Sequence, residues 1–221
     1  MENKSSNNIC ELFASALSYP DTKVLHDLKQ LHNLLNENYP QASETMAEFF
    51  EFIKTTQLKE WEEIYTRTFD VQAITTLDVG YVLFGDDYKR GELLVNLNKE
   101  HTKANNNCST ELADHLPNLL RLITKTKDEE FKNELIYLII KPALKKIISE
   151  FDKINIERKN KIYKKHHKTL IPIEEKNGLV YKYLLESLLI TMNTNFPDDD
   201  KYSLFSEKSQ TEFAKELEIP D

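Results

Sequence analysis

Hydrophobic positions recur at helical spacing along almost the whole chain. Ile9, Leu12, Phe13, Ala16 and Leu17 fall three and four residues apart, which gathers them on one face of a helix. Asn7 or Asn8 stands where it can cap that helix. Tyr19-Pro20 stops it, because proline lacks the amide hydrogen a continuing helix needs. Asp21 then has the position of an N-cap for a second stripe, Val24, Leu25, Leu28, Leu31, Leu34 and Leu35, which ends at Tyr39-Pro40. Met46, Phe49, Phe50 and Ile53 make a third stripe. Leu58, Trp61, Ile64, Tyr65 and Phe69 make a fourth, and aromatic residues at four-residue spacing are more often core than binding surface.

The rhythm breaks over residues 70–88. The stretch VQAITTLDVGYVLFGDDYKRG holds three of the four glycines and several β-formers. It predicts a loop, a short helix around Leu77–Phe84 and a turn at Gly85-Asp86-Asp87. A helix resumes over Gly91–His101 with Leu93, Leu94 and Leu97 inward, and the polar, Asn-rich Lys103–Thr110 reads as a mobile loop. Leu112, Leu116, Leu119, Leu120 and Ile123 restart the pattern, with Asp114 as the expected N-cap and Pro117 in the first turn. A long helix is expected from Asp128 to Ile154, kinked or split by Pro142. Arg158–Lys176 reads as irregular and basic, and Leu179–Met192 as the last core helix. The expected fold is all-α: one helical domain over residues 1–195, an irregular bundle of roughly eight to ten helices. An acidic, flexible tail over 196–221 follows, with Leu204, Phe205 and Phe213 as its docking candidates.

Composition agrees with helices. Only 4 Gly and 7 Pro occur in 221 residues, too few turn formers for a sheet-rich fold, and that length suits one sizeable core. Mean hydropathy is −0.55. The net charge of −8 argues against a general nucleic-acid binder. That charge is uneven. Residues 141–168 carry ten Lys/Arg against three Asp/Glu, a local net of +7 that leaves −15 elsewhere. The basic stretch is read first as a solvated surface, and alternatively as a docking patch for a partner or an anionic membrane. The apolar runs near Leu135–Ile140 and Leu184–Ile190 are too short to span a bilayer. The polar N-terminus has no secretory pattern, and the two cysteines, Cys10 and Cys108, form no disulfide framework, so a cytoplasmic location is expected.

Candidate chemistry is sparse. The sequence has no GxxxxGK[ST], GxGxxG, HExxH, CxxC or GxSxG pattern, and His26 and His32, six apart, do not share a helix face. No metal site and no resident cofactor are expected, and a binding protein is favoured over an enzyme. Two features stand out: the irregular segment with Asp78, Tyr81, Phe84, Asp86, Asp87 and Arg90, and the run Asp114-His115-Leu116-Pro117. Each admits a bland reading, as turn formers and a helix cap, beside a functional one.

Four segments, in order, resemble a known family. They are LFASALSYPDTKVLHDLKQL, EIYTRTFDVQ, LFGDDYKRGELLVNLNKEH and ELADHLPNLLRLI, together spanning about Leu12 to Ile123. The chain is similar over this stretch to NarJ/TorD-type molybdoenzyme assembly chaperones, including those of nitrate reductase. Ala113 stands where that family often has proline. The resemblance implies a protein without catalysis. It would bind the N-terminal segment of an immature catalytic subunit, support molybdenum cofactor insertion, and delay docking or export until assembly is complete. The implied partners are the apo catalytic subunit of a molybdenum oxidoreductase and molybdenum cofactor delivery proteins. Carried over by motif, the client-binding candidates are Tyr65, Phe69 and Asp70, then Phe84, Asp86 and Arg90, then Asp114, His115 and Pro117. Asp86 and Asp114 would meet basic groups of the client, and Phe69 and Phe84 would line an apolar groove, although both are at least as well suited to the core. The alternatives left open are a chaperone for another DMSO reductase-family enzyme, a small helical hydrolase using Asp114 and His115, and a scaffold protein.

Overall fold

The computed structural model describes residues 2–166 and 178–202. Eleven α-helices make up the described part: α1 (Glu2–Ala16), α2 (Thr22–Asn38), α3 (Pro40–Thr55), α4 (Leu58–Phe69), α5 (Val79–Phe84), α6 (Tyr88–Lys103), α7 (Leu116–Lys125), α8 (Glu129–Glu134), α9 (Lys141–Ser149), α10 (Lys153–His166) and α11 (Val180–Asn195). A π-helical turn, Leu135–Ile140, joins α8 to α9 into one rod, so the eleven segments form ten bodies. Among the described residues no strand forms; the nearest thing is an isolated antiparallel bridge between Asp78 and His115. No described helix is long and apolar enough to cross a membrane.

Local chemistry sets most helix boundaries. Asp21 accepts a hydrogen bond from the Val24 amide at 2.7 Å and so caps α2. Pro40 occupies the first turn of α3, where its missing amide costs nothing. Asp87 caps α6 through the Lys89 amide, and Asp128 caps α8 through the Phe131 amide. Gly85, at φ +62°, takes the left-handed conformation that ends α5. Helix α1 starts at Glu2, well before the expected Asn7 or Asn8 cap.

Helix α7 is buried along almost every position from Leu116 to Ile123 and packs on α1. Helices α11 and α3 form the other main pair, with α2 between α3 and α1. Tyr181 of α11 is fully buried, edge-on to Tyr65 and Phe69 and tilted against Phe49. Its hydroxyl accepts a 2.8 Å hydrogen bond from the Trp61 indole. A buried hydroxyl left without a partner costs about 1–3 kcal/mol, so this bond settles which face of α4 turns inward. The expected core role of Trp61, Tyr65 and Phe69 is what the packing contains.

Three segments differ from expectation. The basic stretch from Arg158 is helical as far as His166, because Lys153 to His166 contains no Gly or Pro and consists largely of good helix formers. The interruption expected at Pro142 takes the form of the π turn just before it, in which the Lys141 amide bonds to the Ile136 carbonyl five residues back. The rod ends at Ser149, short of Ile154. Beyond α11, residues 196–202 dock on the rod: Lys141 Nζ donates to the Phe196 carbonyl and Asp198, and Tyr202 stacks on Tyr137. Leu204, Phe205 and Phe213 lie outside the described residues.

Candidate functional site

The loop before α5 and the loop before α7 run side by side. The Val79 amide donates to the Asp114 carbonyl at 3.0 Å, and the Leu116 amide to the Leu77 carbonyl at 2.8 Å. This short ladder brings two motifs together that are far apart in sequence. Asp114 does not cap α7; His115 occupies that position without a capping side-chain bond. The Asp114 side chain turns inward and is 0% exposed. Its Oδ2 accepts from the Gly80 amide at 3.1 Å and from Arg90 Nε at 3.3 Å, while Oδ1 is buried with no hydrogen-bond partner among the described residues.

Arg90 joins this carboxylate to a second one. Its Nη2 donates to Asp78 Oδ2 at 3.2 Å, and Asp78 Oδ1 meets His115 Nδ1 at the same distance. The guanidinium lies over the Tyr81 ring, 5.3 Å from its centroid. The His115 hydrogen bond, with the charges of His115 and Arg90 behind it, holds the Asp78 carboxyl below the ordinary carboxylate range. Burial pushes the Asp114 carboxyl up, and the neighbouring Asp78 charge pushes the same way against Arg90.

The loop from Ala104 to His115 is anchored by the buried Asn106, while Lys103, Asn105, Asn107, Ser109 and Thr110 of the polar stretch are exposed. His101 Nε2 donates to the Ala113 carbonyl at 2.9 Å, which leaves Nδ1 to accept from Asn106. Asn106 also donates to the Asn118 carbonyl and accepts from Lys125. Asn118 in turn donates to the Leu112 carbonyl.

The outer face of this region is acidic and partly apolar. Tyr65 donates to the Leu17 carbonyl and meets Tyr19 edge-on at 5.4 Å. Burial raises the Tyr65 phenol far above its ordinary value, and the charges of Glu111, Asp70 and Asp78 raise it further, so all three carboxylates lie within electrostatic reach of one hydroxyl. Around them Tyr19 is 55% exposed, Val71 49% and Leu112 49%. Asp70 is exposed, and its side chain makes no hydrogen bond or ion pair among the described residues.

The nine candidates thus divide. Arg90, Asp114 and His115 belong to one clamp, completed by Asp78, which the motif reading left out. Tyr65 and Asp70 border the acidic face, with Phe69 beneath it in the core. Pro117 is buried in the first turn of α7. Phe84 is half-buried and Asp86 exposed, on the turn between α5 and α6 and outside the clamp. Glu111, Tyr19, Val71 and Leu112 lie inside the quoted motifs but were not among the candidates drawn from them. Among the described residues no group of three or more His, Cys, Asp or Glu is arranged to hold a metal ion. No protein-family model matches the chain, and no curated protein matches it.

Proposed function

We propose that the protein is a client-specific chaperone of the NarJ/TorD type. It binds the N-terminal segment of an immature molybdoenzyme catalytic subunit, nitrate reductase-like in the first instance, while the molybdenum cofactor is inserted. The observation that carries this reading is the face around Tyr65. The charges of Asp70, Asp78 and Glu111 all act on the Tyr65 hydroxyl, and Tyr19, Val71 and Leu112, adjoining them in the chain or packed on Tyr65, expose apolar surface. Carboxylates attract a basic segment from a distance, and exposed apolar side chains give an amphipathic helix its anchors. Asp114 acts in this reading as an internal brace that orients the two loops; its burial removes it from direct contact with a client. Another DMSO reductase-family subunit would satisfy the same face.

A hydrolytic role has less support. His115 is oriented by Asp78, as a general base would be, but among the described residues no serine, threonine or cysteine hydrogen-bonds to it. The test is to capture the tagged protein from its own cells while they express the reductase, and to identify what accompanies it. A cofactor-free molybdenum oxidoreductase catalytic subunit is the expected companion. Its absence would overturn the proposal.

A further inference from the structure

The basic stretch that the sequence set apart forms one wall of a cleft that adjoins the clamp. The cleft is about 560 Å³ and opens between the loop before α5 and helices α9 and α10. Thr76 and Tyr81 line one side; Lys146, Arg158 and Lys159 line the other. That volume lies within the range of small-molecule sites.

The charges do not cancel. Lys159 is ion-paired with Glu150 at 2.8 Å and also bonds to the Ile74 carbonyl, so it is spent in holding α10 against the loop. Glu150 is the one carboxylate of the lining. Lys146 and Arg158 are both exposed, and neither has an ion pair among the described residues. Three cations against one carboxylate leave two positive charges, in a chain whose net charge is −8. Thr76 lines the cleft, and its Oγ1 accepts from the Asp78 amide at 3.2 Å, which leaves its hydroxyl proton available as a donor.

From this we infer that the cleft binds a small phosphate-bearing anion, gripped by Arg158 and Lys146 and oriented by the Thr76 hydroxyl. The planar Arg158 fork suits two phosphate oxygens at once, and Lys146 adds a point charge. The inference is independent of the client reading, because it uses other charged side chains, Lys146 and Arg158, and another ligand chemistry.

The probe is inorganic pyrophosphate, titrated calorimetrically into the full chain at ionic strength held constant with sodium chloride. Saturable one-to-one binding is expected. Arg158→Ala and Lys146→Ala should each weaken it about tenfold or more, the loss of one charged hydrogen-bonding partner. Lys165→Ala, which removes the same charge from an exposed position on α10 outside the cleft, should leave the affinity unchanged. All three side chains are exposed, so the variants keep the core, which their circular dichroism checks. No saturable binding of millimolar pyrophosphate would overturn the inference. An equal loss in Lys165→Ala would overturn it too, by reducing the effect to diffuse charge on the helix.

Discussion

The Gly80 amide donates to Asp114 Oδ2 at 3.1 Å, and a Cβ added at Gly80 would come within 2.6 Å of that same oxygen. The close approach of helix α5 to the α7 loop therefore depends on a missing side chain. Alanine is ordinarily the better helix residue by about 1 kcal/mol. Here the overlap also reaches the Arg90 and Leu93 side chains at 3.2 Å, so the steric term wins. Gly80→Ala should lower stability by about 1–3 kcal/mol in urea denaturation. An unchanged midpoint would mean that the two loops part without cost.

Arg90 is the cation of a clamp whose inner carboxylate, Asp114, is fully buried. Arg90→Met leaves Asp114 buried and uncompensated, and breaking a buried pair from one side costs about 3–5 kcal/mol. Arg90 is itself partly exposed, so the lower end is expected. Adding Asp114→Asn removes the stranded charge and should recover a large part of the loss. A double variant as unstable as Arg90→Met alone would show that the charge is not what makes the guanidinium necessary.

The two clamp carboxylates should respond to pH with opposite signs. Asp78 is held below its ordinary value of 3.8. It therefore contributes stability that is present above that value and lost as pH falls through its lower, folded-state value. Asp114 is raised, so the folded chain holds its proton more tightly than the unfolded chain does. Its contribution is present at low pH and is lost as pH rises through the folded value. Asp78→Asn should flatten the acid limb of the stability curve. Asp114→Asn should compare more favourably with the parent as pH rises. Denaturant midpoints taken between about pH 3 and pH 7 measure both slopes, and two slopes of the same sign would contradict the assignment.

Buried His101 adds a further acid sensitivity. Burial lowers its pKa from the ordinary 6.5, and its two hydrogen bonds require the neutral ring, since Nδ1 accepts from Asn106. The unfolded chain takes up the proton first. Stability should therefore fall as pH drops below about 6.5 and level off once the folded ring also protonates. Asn106→Ala removes the bonds to His101, Asn118 and Lys125 and should cost about 2 kcal/mol. Hydrogen exchange in residues 104–115 should rise in that variant; an unaltered loop would show that the asparagine is not its anchor.

What was legible in the sequence was what short-range chemistry decides. Asp21 as a cap, the Tyr39-Pro40 boundary and the inward stripes of α2, α3 and α4 follow from neighbours within one or two turns. The all-α character of the chain follows in the same way. Asp114 shows where such reading stops. A polar residue ahead of a helix beginning Leu-Pro looks like a cap, but its partners Gly80 and Arg90 are 34 and 24 residues away. Only the crossing of two loops turns it inward. Asn106 was hidden for the same reason: an Asn-rich stretch signals a loop and says nothing of the buried imidazole waiting beside it. The acidic face is assembled from four separate segments, of which the motif reading supplied Tyr65 and Asp70 alone.

That face gives the sharpest test of the proposed function. Asp70 and Glu111 are exposed and stand at its rim; Glu111 Oε2 also lies 4.0 Å from His115 Nδ1, so Asp70 is the reversal that leaves the clamp untouched. Asp70→Lys and Glu111→Lys should slow association with a basic amphipathic leader peptide and reduce its dependence on salt. Rim charges act on encounter more than on the lifetime of the complex. Leu112→Ala, which trims an exposed apolar anchor, should instead speed dissociation. Glu37→Lys is the matched control, at an exposed position of α2 that is not among the candidates. Stopped-flow association and dissociation rates separate the two effects. If Glu37→Lys slowed association as much as Asp70→Lys, general acidity would account for the binding, and the face around Tyr65 would lose its claim.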